Sequence, residues 1–402
     1  RIAWWRAARF GLFIHWGPVS LVGTEIGWSR GGERRGLRFN LPPGPIPVEV
    51  YDNLYKEFNP VHFDAAEWVQ IAKDAGMRYL VFTSKHHDGF VNFDSALTDY
   101  KITSPLSPFG RDIVAELAAA CHAADLPFGL YYSPPDWRHP DYRTENHQRY
   151  LDYFHAQVAE LCRNYGELSV LWFDGLEEGF TRAEEVERYR DQEVFASAAI
   201  WGSAQLFREI RQLQPNILIN NRCGMRADFD TPEQMIGAYN TTRAWESCIT
   251  MGDQWAWKPD DKLKSVTECL HTLIRVTGGD GNLLFNVGPM PDGRIEPRQV
   301  DRLRAMGDWL RQYGESIYGT RGGPFPPAPW GVTTHTEQQI YLHILEWPTD
   351  TIVLPALAQP VLASTTLTGG AVTVAQTADA LTVTVPPADR HPIDTIIRLT
   401  VA

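Results

Sequence analysis

A (β/α)8-like (TIM-type) barrel followed by a small C-terminal β-sandwich is the fold this sequence predicts, on three observations. Seven short β-rich runs alternate with amphipathic helical segments over about 320 residues, the order expected of a parallel sheet with crossover helices. No GxGxxG or GxxxxGK follows any of those runs, so a doubly wound nucleotide-binding sheet, the other arrangement of such an alternation, lacks its signature. Beyond residue 331 helical spacing gives way to period-two alternation in short Thr- and Val-rich runs.

The strand candidates, in order, are FGLFIHWG (10–17), YLVFTSKHH (79–87), PFGLYYS (127–133), SVLWFDG (169–175), NILINNR (216–222), a weaker AWESCI (244–249) and NLLFNVGP (282–289). Their unbroken apolar character suits strands covered on both faces. An eighth strand is not visible. In FDAAEWVQIAKDAG, Asp64 reads as a helix N-cap, residues 65, 68, 69, 72 and 75 as the buried stripe and Gly76 as the stop. RDIVAELAAACHAAD, TENHQRYLDYFHAQVAELCRNYG and DDKLKSVTECLHTLIRVTGG read alike. Pro and Gly crowd residues 319–331, which divides a catalytic barrel (1–325) from a sandwich (331–402) built of QQIYLHIL, TIVLP, AVTVAQ, ALTVTVP and DTIIRLTV and packed on the barrel's flank.

With 49 acidic against 37 basic side chains the formal charge is −12, which disfavours nucleic acid and anionic membranes as partners. Runs such as NILIN and YLVFT fall far short of the roughly 20 apolar residues a membrane span needs. Cys121, Cys162, Cys223, Cys248 and Cys269 show no CxxC spacing, which argues against a zinc ribbon or redox pair and suits small buried apolar residues. The sequence opens on Arg1 with a strand-like motif within ten residues, so any initiator methionine or signal segment is expected outside it.

Chemistry collects at the strand ends. An Asp just past a strand is commonly a helix cap or turn residue, but Asp174 has company: His15 and Trp16, His86 and His87, Tyr131, Trp172 and Arg222 also close candidate strands. In a barrel these ends converge on one mouth, where active sites are built. Period two puts Trp172 and Asp174 on one face, with Leu171 and Phe173 on the other. An aromatic ring beside a carboxylate suits a sugar, the ring stacking on C–H groups and the carboxylate binding hydroxyls. Neighbouring His86 and His87 on an extended strand point to opposite sides, and no HxH or HExxH occurs, so neither metal nor cofactor is expected. Only a loop after the strand would bring both rings inward.

At RFGLFIHWG, KHHDGF, LYYSPPDW, LWFDG and GGDGNLLFNVGPMPDGRI, spread from residue 5 to about 318, the chain resembles the α-L-fucosidases of glycoside hydrolase family 29. The resemblance implies a retaining, exo-acting hydrolase that removes terminal L-fucose from glycans or glycoconjugates through a covalent intermediate, on a barrel followed by a β-sandwich. It implies Asp174 as nucleophile and a fucose pocket of His15, His86, His87, Tyr131, Trp172 and Arg222. Glu25 and Trp28 in GTEIGWSRGG match a hydroxyl-binding acid and its aromatic partner, and Trp255 in GDQWAW an aromatic on the sugar's methyl side. Two glutamates compete for acid/base: Glu233 in ADFDTPEQ is preferred, with Glu246 the runner-up and otherwise a mouth group that orients neighbours. Asp88 and Gly89 read as turn residues, Asn286 and Asp292 as supports of the last barrel loop. The insertion from Arg30 to Pro47, with Arg30, Arg34, Arg35 and Arg38, reads as a solvated loop in preference to an aglycone lining. The partner implied is a fucosylated oligosaccharide or glycoconjugate; homo-oligomers stay open, and a periplasmic or secreted location is slightly favoured over a cytoplasmic one. A different retaining glycosidase on the same barrel, or a catalytically silent carbohydrate-binding protein, are the alternatives.

Overall fold

The computed structural model describes residues 1–37, 41–175 and 192–402. Each apolar run named above forms a strand: β1 (Phe10–Ile14), β2 (Leu80–Lys85), β3 (Phe128–Tyr132), β4 (Val170–Phe173), β5 (Leu218–Ile219), β6 (Glu246–Thr250) and β7 (Asn282–Val287). They make one parallel sheet in the order β5-β4-β3-β2-β1-β7-β6. The two edge strands are not left open. Between them runs the segment from Phe229 to Glu233, which makes isolated parallel bridges to Asn220 on one side and to Trp245 and Cys248 on the other. These single bridges, in a run carrying Asp and Pro, left no strand pattern in the sequence.

Alternation sorts the side chains into two layers. Phe13, Val81, Tyr131, Trp172, Leu218, Cys248 and Leu284 pack together in one cluster, while Leu12, Phe82, Leu130, Leu171, Phe173, Ile219 and Phe285 belong to the other, under the helices. Burial on both faces is why the strands read as continuous apolar runs. The inner cluster is crowded: a Cβ on Gly11 would lie 2.5 Å from the Tyr79 ring. A short helix, Ala3–Ala8, which the sequence reading did not assign, adds Trp5 to this cluster against Phe229, with ring centroids 4.7 Å apart.

The helices follow their punctuation. Asp64 caps Ala65–Asp74 by accepting from the Glu67 N–H, and Asp112 caps Ile113–Ala123 in the same way. Ser265 and Glu268 form a reciprocal capping box on Val266–Gly278. His147–Asn164, Ser203–Leu213 and Pro297–Tyr313 complete the longer helices among the described residues. No helix there is long and apolar enough to cross a membrane.

The C-terminal strands are β8 (Arg321–Gly322), β9 (Gly331–His335), β10 (Gln339–Ile344), β11 (Thr351–Pro355), β12 (Val361–Thr366), β13 (Thr373–Gln376), β14 (Ala380–Thr384) and β15 (Thr395–Val401). They form two antiparallel sheets, β12-β15-β10-β9-β8 and β11-β14-β13. Leu342, Leu354, Val383 and Leu399 from both sheets meet in one apolar cluster. Strands β8, β9 and β12 were absent from the sequence reading. The first is two residues inside the Pro/Gly tract, and β12 is an edge strand whose Leu362 is 66% exposed, so neither shows alternation.

The first sheet leans on helix Val266–Gly278: a Cβ on Gly278 would lie 2.3 Å from the Val332 side chain. Just past that helix, Asp280 is fully buried and accepts from Arg9 Nη2 (2.6 Å), Arg321 Nε (3.0 Å) and the Gly322 N–H (2.9 Å). It joins the start of β1 to the start of the C-terminal sheet. Removing one partner of a buried pair strands the other charge and costs about 3–5 kcal/mol, so Asp280→Ala should lose that much in urea unfolding, whereas Asp64→Ala, which removes one exposed cap, should lose about 1 kcal/mol.

Candidate active site

The carboxyl ends of the parallel strands gather the polar groups. Arg222, two residues beyond Asn220 on the inward face, is 3% exposed and donates from Nη1 to both Asp174 Oδ1 (2.9 Å) and Glu233 Oε2 (2.8 Å). Thr231 fixes the fork from behind, its Oγ1 accepting from Nε (2.8 Å) and its carbonyl from Nη2 (2.7 Å). The guanidinium also lies over Trp172, 4.8 Å from the ring centroid. Tyr131 donates its hydroxyl to Asp174 Oδ2 (2.7 Å). Burial alone would raise the Asp174 pKa; the charge of Arg222, then His87, and the bonds from Tyr131 and Arg222 outweigh it and hold the carboxyl below its usual range.

The two adjacent histidines both turn inward. The β2–β3 ladder slips between Thr83 and Lys85, and the chain leaves extended geometry after Lys85. His86 and His87 therefore escape the alternation of an extended strand, and their ring centroids lie 4.1 Å apart. Lys85 secures the turn from behind, fully buried, donating to the Ser133 carbonyl (2.9 Å) with Asp136 Oδ2 at 3.4 Å. Gly27, at φ +67°, admits the first loop: a Cβ there would lie 2.5 Å from His86 Nδ1. Trp172, Tyr131 and His86 form a near-parallel stack, with centroids 5.7 and 5.4 Å apart.

His15 follows β1 and contacts Tyr131, His86 and Trp255 by its ring. Its Nδ1 is 2.7 Å from Asn286 Oδ1, and His87 Nδ1 is 2.6 Å from Ser133 Oγ. Burial lowers both imidazoles to about 4, and His86 well below its ordinary value. Ligand atoms of His86, His87 and Asp174 all lie within 4.8 Å of one another, close enough for a cation, which would share the carboxylate with the fixed charge of Arg222.

Glu25 accepts from the backbone N–H groups of Ile26 (3.0 Å), Trp255 (2.8 Å) and Ala256 (3.0 Å), so the first loop clamps the loop after β6. Burial raises its pKa to about 7 against those hydrogen bonds, with the Glu233 charge adding to the rise. Trp28 meets His87 edge-on at 5.6 Å and packs on Trp137. The arginine-rich insertion is a solvated loop, with Gly32, Glu33 and Leu41–Pro43 exposed, whose arginines pin it to the rest of the fold. Arg30 pairs with Asp52 through two bonds (2.7 and 2.8 Å), Arg34 lies over Trp28 and Trp137, and Arg35 donates to the carbonyls of His139 and Pro140; Arg38 falls outside the described residues.

Glu246 is elsewhere. It opens β6 instead of closing it, so it sits at the amino end of the strand, one layer below the mouth, fully buried. Tyr79 Oη and Trp172 Nε1 (3.0 Å) bond its two oxygens, and burial raises its pKa to about 7. Glu233, by contrast, has a side chain 27% exposed. Sequence reasoning passed over Ser133, Trp137 and Thr231 and gave Asn286 only a loop-supporting part. Period two from Tyr131 would have put Ser133 on the inward face.

A family model described as Alpha-L-fucosidase matches residues 2–315. The chain is 28% identical over 400 residues to the tissue alpha-L-fucosidase of Homo sapiens, covering 90% of this chain and 79% of that protein. To the human plasma alpha-L-fucosidase it is 29% identical over 381 residues, covering 86% and 76%. Alpha-L-fucosidase isoenzyme 1 from Paenibacillus thiaminolyticus superposes with a TM-score of 0.85 at 35% identity, over 100% of this chain and 98% of that one. An alpha-L-fucosidase from Bacteroides thetaiotaomicron, solved as a trapped covalent intermediate with 2-fluoro-fucosyl fluoride, superposes with a TM-score of 0.81 at 25% identity, over 100% and 96%. Likeness of this extent, with carboxylates and aromatic rings gathered at the carboxyl ends of the parallel strands, makes the chain a glycoside hydrolase that belongs to the α-L-fucosidase family.

Proposed function

We propose that this fucosidase is a retaining, exo-acting enzyme that removes terminal α-L-fucosyl residues from glycans or glycoconjugates by double displacement, with Asp174 as nucleophile and Glu233 as acid/base. In this reading residues 1–325 are a (β/α)8-like barrel that carries the chemistry and residues 331–402 an appended β-sandwich. The observation that carries the mechanism is the single Arg222 nitrogen bonded to both carboxylates at under 3 Å. Their bonded oxygens are thus no more than about 6 Å apart, a span that admits the roughly 5–5.5 Å of a retaining pair and is short of the roughly 6.5–9.5 Å an inverting pair needs for its water.

In the first step an Asp174 oxygen attacks the anomeric carbon as the glycosidic C–O bond breaks, and Glu233 gives its proton to the departing oxygen. In the second, water attacks the same carbon, its proton passes to Glu233, and the Asp174 carboxylate leaves. An ionised nucleophile is required, and Arg222 and Tyr131 favour that state. His15, His86, His87, Tyr131, Arg222 and Glu25, with Trp172, Trp28 and Trp255, would form the sugar pocket. An apolar wall such as Trp255 discriminates a methyl from a hydroxymethyl group by roughly 1–3 kcal/mol. The covalent intermediate trapped in the Bacteroides thetaiotaomicron relative supports the two-step course. Full burial and two satisfied oxygens count against Glu246 as the acid/base, since it meets no leaving group.

Asp174→Ala should lower turnover of an aryl fucoside by several orders of magnitude, with azide restoring it as the inverted fucosyl azide; unchanged turnover would remove the nucleophile assignment. For the second carboxyl, Glu233→Ala should keep dinitrophenyl fucoside hydrolysis while losing natural glycosides, because a good leaving group needs little protonation. The same pattern in Glu246→Ala in place of Glu233→Ala would reverse the assignment. Neutral His15 and His87 are the third handle. Arg222, Arg34 and Lys85 around His87 oppose its protonation and Asp174 favours it, the balance with burial lying at about 4. Both rings are thus uncharged above about pH 4 and protonate below it. Inhibition by free fucose should weaken as pH falls through about 4, a step separate from any near 7 where Glu25 and Glu246 titrate; absence of the low-pH step would contradict it.

A further inference from the structure

Two of the pocket histidines have their protons assigned by groups that touch no sugar. Ser133 Oγ lies 2.7 Å from the Pro135 carbonyl and 2.6 Å from His87 Nδ1. A carbonyl only accepts, so the one hydroxyl proton of the serine goes to Pro135, and toward His87 its oxygen is an acceptor; Nδ1 must carry the hydrogen. Asn286 argues the same way on β7. Its Nδ2 donates to the Trp255 carbonyl at 2.8 Å, which turns Oδ1 toward His15 Nδ1 at 2.7 Å. Both relays are buried, Ser133 at 0% and Asn286 at 1% exposed. His86 has no such support: its Nδ1 is buried without a hydrogen-bond partner among the described residues.

We propose that Ser133 and Asn286 are positioning residues that lock His87 and His15 as the Nδ1–H tautomers, so that each presents an unprotonated Nε2 and the pocket recognises sugar hydroxyls as hydrogen-bond donors. The proposal rests on the fucosidase reading above. His87 Nε2 stands 3.5 Å from Asp174 Oδ2, two acceptors facing each other with no hydrogen between them. A ligand hydroxyl donated into that space satisfies the imidazole. Until then His87 makes no hydrogen bond to the nucleophile, whose Oδ2 is held by Tyr131. Without Ser133 the other tautomer gains a bond from Nε2–H to Asp174 Oδ2, which both removes the acceptor and adds a donor to the nucleophile's carboxylate.

The tautomers are read directly by nitrogen-15 NMR of the full chain with labelled histidine, free of ligand at pH 7, with His87 and His15 assigned by signal loss in His87→Gln and His15→Gln. Expected are protonated Nδ1 and unprotonated Nε2 on both rings, a switched His87 in Ser133→Ala, and a retained tautomer in Ser133→Thr. A protonated Nε2 on His87 or His15 in the unaltered protein overturns the proposal, and that spectrum needs no variant to fold. Turnover supplies a second readout: kcat/KM of Ser133→Ala should fall about 10- to 100-fold, as for other groups that set an imidazole's tautomer from behind, and Ser133→Thr should recover most of it. Inhibition constants of monodeoxy and monofluoro fucose analogues substituted in turn at positions 2, 3 and 4 give the third. Where an imidazole accepts, fluorine should bind as poorly as hydrogen; fluorine matching hydroxyl at all three positions would mean donating imidazoles and sink the idea. The spectrum is taken without substrate, so absence of fucoside hydrolysis would remove the functional reading while leaving the tautomers measurable on their own.

Discussion

The site depends on one buried cation. Arg222 is taken out of water at the end of β5, and such a charge is tolerable only if its fork is filled. Thr231 fills two of its directions, Asp174 and Glu233 the third, and Trp172 covers its face. The same contacts that make the guanidinium affordable bring two carboxylates from different parts of the chain to one point. Moving Arg222 would separate them, uncover Trp172 and release the segment that carries Glu233.

Three carboxyl groups around this parallel sheet show how far environment sets behaviour. Asp174, bonded by a guanidinium and a phenol, is held below the ordinary range despite its burial. Glu25 and Glu246 are raised to about 7 by burial that their hydrogen bonds offset only in part. Glu25 spends its oxygens on the backbone of another loop, and Glu246 on Tyr79 and Trp172 beneath the pocket floor. Both support the surfaces on which a ligand would rest.

The strands were legible because each is buried on both faces and so leaves an uninterrupted apolar run. The inward face was legible as well, since Trp172 and Asp174 follow from period two alone. What stayed hidden had no local signature. Residues 229–233 are held by solitary bridges, and Ala3–Ala8 is shorter than two helical turns. Nothing in AWESCI tells whether Glu246 lies at the near or far end of its strand. His86 and His87 were read against an ideal strand, whereas the ladder slip at Thr83 and Lys85 decides their directions. The roles of Ser133 and Asn286 depend on carbonyls of Pro135 and Trp255, and a carbonyl is common to every residue, so composition cannot point to them.

The join between β5 and β6 carries a consequence of another kind. A continuous ladder would tie its length to the register of its neighbours, but single bridges at Asn220, Trp245 and Cys248 impose no such bookkeeping. Length changes outside Phe229–Glu233, whose contacts with Arg222 are fixed, need not shift the register of the other strands. On the proposed reading, in which Glu233 faces the departing group, length changes beside that segment would alter the leaving-group side while the strands that carry His15, His87 and Trp172 stay in place.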